Sequence, residues 1–214
     1  MINHAVAGVH RARYHFVTMA ETDLNHAAAD DVLTFWFGAG SIRGQSRSEW
    51  FRKDPAFDEE IRARFLGLHE EAARGECSHW HDSADSCLAL VVVLDQFPRN
   101  MFRNAARAFF TDPLARATAR HALSQRFDNA MRPVERMFMY LPFEHSESIA
   151  DQDLCAQLMQ PLAAFPETRD IPLWAEKHRT IIARFGRFPH RNAALGRAST
   201  PEELAFLKQP GSGF

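Results

Sequence analysis

An aspartate and an arginine lie one helical turn apart, at Asp95 and Arg99, in the sequence Asp95-Gln96-Phe97-Pro98-Arg99-Asn100. Asp95 shares a helical face with apolar residues of the preceding run Leu88–Leu94, so its carboxylate is predicted to point inward. A buried carboxylate needs a partner, and Arg99 is the nearest candidate. The pair belongs either to a functional site or to a structural ion pair at a helix end.

A second sequence, Phe188-Pro189-His190-Arg191-Asn192, has the same order of phenylalanine, proline, arginine and asparagine. The two turns are either paired caps with the same local geometry or two sides of one pocket. Arginine suits a planar carboxylate or a phosphate, because its guanidinium donates two parallel hydrogen bonds. The candidates for binding a ligand are Arg99, Asn100, Arg187, His190, Arg191 and Asn192.

Histidines near carboxylates are the candidates for proton transfer. His145 lies in Glu144-His145-Ser146-Glu147, just after Pro142 at a predicted helix end. His178 lies on an apolar helix face, where a histidine is more often a core residue with satisfied hydrogen bonds. Such groups at helix ends can transfer protons near neutral pH or bind a metal. We predict that His145 or His178 transfers the proton and that Asp95 or Glu147 orients it.

The spacing of possible metal ligands matches no established pattern. The sequence contains no His-Glu-x-x-His, no paired Glu-x-x-His, no Cys-x-x-Cys and no nucleophile elbow. Cys77, His79 and His81 are close together, but they fall in a predicted surface loop where only Trp80 is expected to pack. We therefore predict no metal site and no cofactor.

Helix-start signals recur along the chain, and these helices must position the candidate residues. The starts are Asp54-Pro55, Asp112-Pro113, Pro133, Pro172 and the capping box Thr200-Pro201-Glu202-Glu203, and a further apolar stripe is formed by Leu154, Leu158 and Leu162. The run Leu88–Leu94 would suit a buried strand, but no other segment offers a partner strand. It is predicted instead to be a buried helix that begins near Ser83 and ends before Pro98.

Helix ends are indicated by apolar residues followed by proline. These pairs are Phe97-Pro98, Leu141-Pro142, Phe165-Pro166 and Phe188-Pro189. Their irregular spacing argues against a strict repeat. The recurrence of these pairs favours antiparallel helices packed in pairs, with polar turns gathered at the helix ends. It therefore predicts an all-α fold.

Composition limits the possible classes of protein. The chain has 214 residues, with 46% hydrophobic and 24% charged, which is typical of one globular domain. Its net charge of −2 gives no reason to expect binding to nucleic acid or to a membrane. Five arginines and no carboxylate lie between residues 178 and 197, and this local positive segment favours a small anionic ligand or internal ion pairs.

The first 28 residues are predicted to be a disordered or loosely attached extension, followed by a helical domain at 29–214. We expect no signal-peptide core in this segment, and Met19 is an alternative start to Met1. Three cysteines, an odd number without ligand spacing, indicate free thiols in a reducing compartment. We therefore predict a cytoplasmic protein.

The chain resembles the bacterial family known as domain of unknown function 924 over about residues 29–210. The resemblance rests on Val32–Gly38, Leu94–Asn100, Pro142–Glu147, His178 with Arg184–Asn192, Leu195–Arg197 and the helix at 200–207. It implies an all-α, single-domain fold of the tetratricopeptide-like kind, with antiparallel helix pairs in a right-handed array. It implies no particular activity, although the family's motifs coincide with the candidate residues above.

The predicted function is binding of a small anionic metabolite in a pocket lined by histidine, arginine and glutamate, with acid–base chemistry of the hydrolase or lyase kind if the protein is an enzyme. Arg99, Arg187 and Arg191 would bind the anion. The main alternative is a helical scaffold that binds a peptide or partner protein. A third alternative, a metal-dependent oxidase, requires His145, Glu147, His178 and His190 to meet.

Overall fold

Helices account for all regular structure in residues 19–213, the range that our computed structural model describes, with side chains from residue 28 onward. The helices are α1 Met19–Phe37, α2 Pro55–Ala73, α3 Ala84–Val91, α4 Phe97–Met101, α5 Asp112–Ser124, α6 Pro133–Glu144, α7 Ile149–Met159, α8 Ile171–Phe185 and α9 Pro201–Leu207. No strand occurs in this range. The predicted all-α, single-domain fold is confirmed.

Local caps explain several helix boundaries. The Asp54 carboxylate accepts the N–H groups of Ala56 and Phe57 at the start of α2. At the start of α9, Thr200 and Glu203 form the predicted capping box. Gly186 ends α8 in the left-handed region, with a φ of 68° that favours glycine. These boundaries follow the sequence signals because a cap depends on a few neighbouring residues.

The prediction that a helix ends before Pro98 is wrong. A turn of π-helix over Val92–Gln96 joins α3 to α4, so a single helical rod runs past the proline to Met101. Proline lacks the N–H that an α-helix needs, and a π turn widens the backbone at that point. Val92, Leu94 and Phe97 are fully or almost fully buried, and this packing holds the irregular turn in place.

The other apolar-proline pairs also differ from the prediction. Pro142 lies inside α6, which continues to Glu144, and Leu141, Pro142 and Phe143 are all buried. Burial of that turn outweighs the loss of one backbone hydrogen bond. Pro166 and Pro189 each begin a short 3₁₀ turn instead of following the end of a helix directly.

Neighbouring helices pack in sequence order in the second half of the chain, where α7 contacts α6 and α8, and α5 contacts α6. In the first half α1 packs on α3, and α2 packs on α4. Trp36, Trp50 and Phe138 form an aromatic centre, with Trp50 and Phe138 ring centroids 4.7 Å apart. The tetratricopeptide-like array itself stays a prediction.

The predicted extension at 1–28 falls mainly on residues 1–18, outside the described range. Helix α1 begins at Met19 and passes residue 28 without a break. None of the helices in the described range is long and apolar enough to cross a membrane. Cys77, Cys87 and Cys155 are free thiols, and all three are buried. Burial of Cys77 corrects the prediction that it lies on the surface, whereas Trp80 packs as expected.

Candidate functional site

The π turn leaves two backbone carbonyls for side chains to satisfy. Pro98 cannot donate to the turn before it. The carbonyl of Val93 accepts a hydrogen bond from His69 Nδ1 at 3.0 Å, and that of Leu94 accepts one from Thr111 Oγ1 at 2.6 Å. All of these groups are buried, so the side chains of His69 and Thr111 fix the turn that carries Asp95.

Asp95 and His145 form the centre of the site. Nδ1 of His145 lies 2.9 Å from both carboxylate oxygens of Asp95. Gln96 donates to Oδ2 at 2.6 Å, and Arg99 Nη1 lies 3.2 Å from Oδ1. Burial alone would raise the pKa of Asp95, but the charge of Arg99 and the interaction with His145 outweigh it and hold the pKa below its usual value. Asp95 is therefore an ionised, fully buried carboxylate.

The position of His145 follows from the end of α6, where it is the C-cap and its N–H bonds to the carbonyl of Leu141. Burial and then the nearby charge of Arg99 lower its pKa. In a neutral imidazole whose Nδ1–H donates a hydrogen bond to Asp95, Nε2 is the atom that can accept a proton. About a sixth of the His145 side chain, 15%, is exposed, so solvent reaches this part of the site.

Two arginines share a second carboxylate. Arg99 donates to both oxygens of Asp112, at 2.9 and 3.1 Å, and Arg191 Nη1 lies 3.4 Å from one of them. The Arg191 guanidinium carbon lies 4.6 Å from the ring centre of Phe109 and 4.5 Å from that of Phe188. Burial, followed by the charge of Arg99, lowers the pKa of Arg191 to about 10. The guanidinium is thus buried, charged at neutral pH and only weakly paired.

Nε of Arg191 and Oε2 of Glu144 are buried and have no hydrogen-bond partner among the described residues. Glu144 is the last residue of α6, and its Oε1 lies 3.5 Å from Nδ1 of His178. Burial, with a contribution from the charge of Asp95, raises the pKa of Glu144 to about 8. Such unsatisfied groups are rare in native proteins and mark candidate ligand contacts.

His178 and His190 lie against the same phenylalanine. Their rings are 5.7 and 5.5 Å from the ring of Phe188, and Nδ1 of His178 donates to the Trp174 carbonyl at 2.9 Å. Burial lowers the pKa of His178 to about 3 and, together with the charge of Arg191, that of His190 to about 4. Both imidazoles are therefore neutral in the physiological range.

Glu147 positions the turn that carries Arg191. Its carboxylate accepts two hydrogen bonds from Arg197, at 2.7 and 2.9 Å, and the backbone N–H of Phe188 at 2.8 Å. Burial would raise the pKa of Glu147, but the hydrogen bonds from Arg197 outweigh this and lower it. Glu147 thus links the end of α6 to the 188–191 turn.

Arg187 and Asn192 bond to the C-terminal helix. Arg187 donates to both oxygens of Glu203, at 2.6 and 2.8 Å, and Asn192 donates to Glu203 and to Ser199. Arg197 in turn donates to the Asn192 side-chain oxygen at 2.9 Å. These contacts form a polar clamp, defined here as Arg187, Asn192, Arg197 and Glu203, which attaches α9 to the turn after α8.

Asn100 faces the start of α2. It donates to Asp58 at 2.7 Å, and Arg103 donates to the same carboxylate at 2.5 and 2.8 Å. The structure therefore brings together Asp95, Arg99, His145, His178, His190 and Arg191 from the predicted set. It directs Asn100, Glu147, Arg187 and Asn192 toward other protein groups.

Sequence reasoning missed two members of the cluster, Asp112 and Glu144. Asp112 was interpreted as a helix start, and its contacts with Arg99 and Arg191 span 13 and 79 residues. Glu144 and Glu147 both lie close to His145 in sequence, and the sequence analysis assigns the orienting role to Glu147. Only burial distinguishes the two carboxylates. In the part of the chain that the structure describes, no three histidine, cysteine or acidic side chains are placed to hold a metal ion. Glu147, one of the four residues that the metal-dependent oxidase requires, pairs instead with Arg197.

These features define an all-α protein with a buried cluster of arginine, histidine and carboxylate side chains. The chain belongs to the DUF924 family, described as bacterial protein of unknown function, whose family model matches residues 32–211. A solved structure of a protein of unknown function from Agrobacterium tumefaciens is similar, with 45% sequence identity and a TM-score of 0.77. The similarity covers 86% of this chain and 98% of that one. No curated protein matches the chain.

Proposed function

We propose that the cluster binds a small anionic metabolite and performs acid–base chemistry on it, of the hydrolase or lyase kind. The observation that carries the proposal is the contact between His145 Nδ1 and Asp95, beside a buried and weakly paired Arg191. An imidazole oriented by a carboxylate is a common arrangement for a general base. A nearby arginine supplies the charge that holds an anionic substrate.

Each residue has a separate role in the proposal. Arg191 binds the anion through Nε, the buried donor that has no partner among the described residues. Arg99 holds Asp95 and Asp112 in place and adds positive charge. His145 accepts a proton at Nε2, and Asp95 stabilises the imidazolium that forms, as a buried carboxylate does for a catalytic histidine elsewhere.

Contacts within the cluster support a narrower assignment of roles in this proposal. Proton transfer is assigned to His145 and not to His178. His145 contacts Asp95 and its side chain is 15% exposed, whereas His178 bonds to the Trp174 carbonyl and its side chain is 7% exposed. Arg187 and Glu147 are left out of the chemistry, because both are held in bidentate ion pairs within the protein.

The competing function is a helical scaffold for a peptide or partner protein. Exposed apolar side chains such as Leu173 and Trp174, at the start of α8, would then contact the partner. The convergence of Asp95, His145 and Arg191 on one place supports the metabolite proposal instead. We also propose a cytoplasmic location, which is consistent with three free thiols.

A native mass measurement tests the proposal. Gently purified protein is compared with its own denatured mass after incubation with a concentrated extract of small molecules. The wild type is expected to retain an excess mass that Arg191→Met loses. Arg179→Met is the matched control, since Arg179 pairs with Asp153 and Glu176 at the surface and should keep the ligand. Equal native and denatured masses in the wild type would contradict the proposal.

A further inference from the structure

The in-plane edge of the Arg191 guanidinium is the feature that defines a ligand class. Its carbon lies over the rings of Phe109 and Phe188, 4.6 and 4.5 Å from their centres, so the two rings cover part of the guanidinium. Within the described residues its single hydrogen bond is the 3.4 Å contact from Nη1 to Asp112. The buried Nε has no partner there. A planar acceptor that approaches in the guanidinium plane can use Nε together with a neighbouring Nη, which is how carboxylates bind arginine.

The charge of the cluster favours a ligand with one negative charge. Arg99 and Arg191 carry two positive charges, and Asp95 and Asp112 carry two negative charges. The pKa of Glu144 is about 8, so that carboxyl is mostly neutral at pH 7. A dianion would therefore enter a neutral cluster beside two buried carboxylates and would be repelled more than a monoanion.

Glu144 offers a second, uncharged contact. It is 95% buried, Oε2 has no partner among the described residues, and Oε1 lies 3.5 Å from His178. The His178 ring packs on Phe188, which also contacts Arg191, so the two unsatisfied groups belong to one continuous cluster. A neutral carboxyl donates or accepts a hydrogen bond, and it pairs well with a hydroxyl or carbonyl oxygen.

We propose that the ligand is a small monocarboxylate with a neutral hydroxyl or carbonyl group, held by Arg191 at its carboxylate and by Glu144 at its neutral oxygen. This inference rests on the proposed function and specifies the substrate class of the same site. It distinguishes hydroxy and oxo acids from phosphate compounds and from dicarboxylates.

Calorimetric titration of the full chain with glycolate, pyruvate, acetate, malonate and inorganic phosphate tests the assignment. Glycolate or pyruvate is expected to bind at least about tenfold more tightly than phosphate or malonate, because the two buried carboxylates repel a second negative charge on the ligand. Acetate, which lacks the neutral hydroxyl or carbonyl oxygen, is expected to bind more weakly than glycolate or pyruvate. Tightest binding by phosphate or malonate, or equal binding of acetate and glycolate, would overturn the assignment.

Variants separate this inference from the proposed function. Arg191→Lys keeps the charge but loses the paired donors, so glycolate binding should weaken about tenfold in a folded protein. Arg179→Met should bind as the wild type does. If phosphate binds and Arg191→Lys weakens it, the anion site stands and the monocarboxylate assignment falls. If none of the five anions binds the wild type, both fall.

Discussion

Nδ1 of His145 lies 2.9 Å from each carboxylate oxygen of Asp95, although 50 residues separate the two in sequence. Asp95 comes from a π turn and His145 from the C-cap of α6, so two irregular backbone positions meet at this contact. Irregular turns of this kind are frequent at functional sites because they direct side chains that a regular helix would direct elsewhere. Arg99 and Arg191, which lie near this contact, are the reason that we propose a binding site here.

Removal of the Thr111 hydroxyl should destabilise the π turn. Thr111→Val keeps the shape of the side chain but leaves the buried Leu94 carbonyl without its hydrogen bond. We expect the free energy of unfolding to fall by about 1–3 kcal/mol, as measured by urea denaturation. Ser124→Ala, which removes an exposed hydroxyl bond, is the control and should change it by less than about 0.5 kcal/mol. Equal effects of the two substitutions would show that the turn does not depend on Thr111.

Glu144 should make the protein less stable as the pH rises above neutrality. Its pKa is about 8 in the folded protein and about 4.3 in an unfolded chain. Between these pH values Glu144 keeps its proton only in the folded state. The stabilisation that this proton provides is therefore complete below pH 4 and is lost as the pH rises to 8. From pH 6.5 to 8 we expect a loss of about 1.5 kcal/mol.

The Glu144→Gln variant isolates this contribution. The groups that face Glu144 are Asp95, His178 and Cys155. The pKa of Asp95 is lowered, that of His178 is lowered to about 3, and that of Cys155 is raised. None of them titrates between pH 6.5 and 8. The difference in unfolding free energy between wild type and variant should therefore change across this range. A constant difference would show that Glu144 is ionised throughout.

The polar clamp should control the attachment of α9. The hydrogen bonds from Arg187 and the capping contact with Thr200 lower the pKa of Glu203 to about 2, so it is ionised under most conditions. Glu203→Gln weakens the bidentate pair and the contact with Asn192. Amides of residues 201–207 should exchange hydrogen faster, while those of α3 should not change. Unchanged exchange in α9 would assign its attachment to apolar packing.

The limits of sequence reasoning follow from the distance over which each feature is determined. The caps at Asp54 and Thr200 were predicted because they depend on residues within one turn. The continuation of the helix past Pro98 was not, because burial of the surrounding turn and the hydroxyl of Thr111 decide it. The role of Asp112 was hidden because its arginine partners lie on other elements.

The choice of carboxylate at the end of α6 shows the same limit within four residues. Glu144 and Glu147 flank His145 in sequence, and both have the chemistry that a site would need. Glu147 pairs with Arg197, whereas Glu144 is buried beside Asp95 and His178. Only the packing of α6 against its neighbours assigns one to a structural link and the other to the site.

The proton positions on His145 test the central claim most directly. In ¹⁵N-histidine-labelled protein, with the resonance assigned by a His145→Gln variant, the account predicts a neutral ring at pH 7 that carries its proton on Nδ1 and leaves Nε2 free to accept one. Asp95→Asn should lower the pKa of this ring further, since it removes the adjacent negative charge. An imidazolium at pH 7, or a neutral ring protonated at Nε2, would contradict the assignment of His145 as the base.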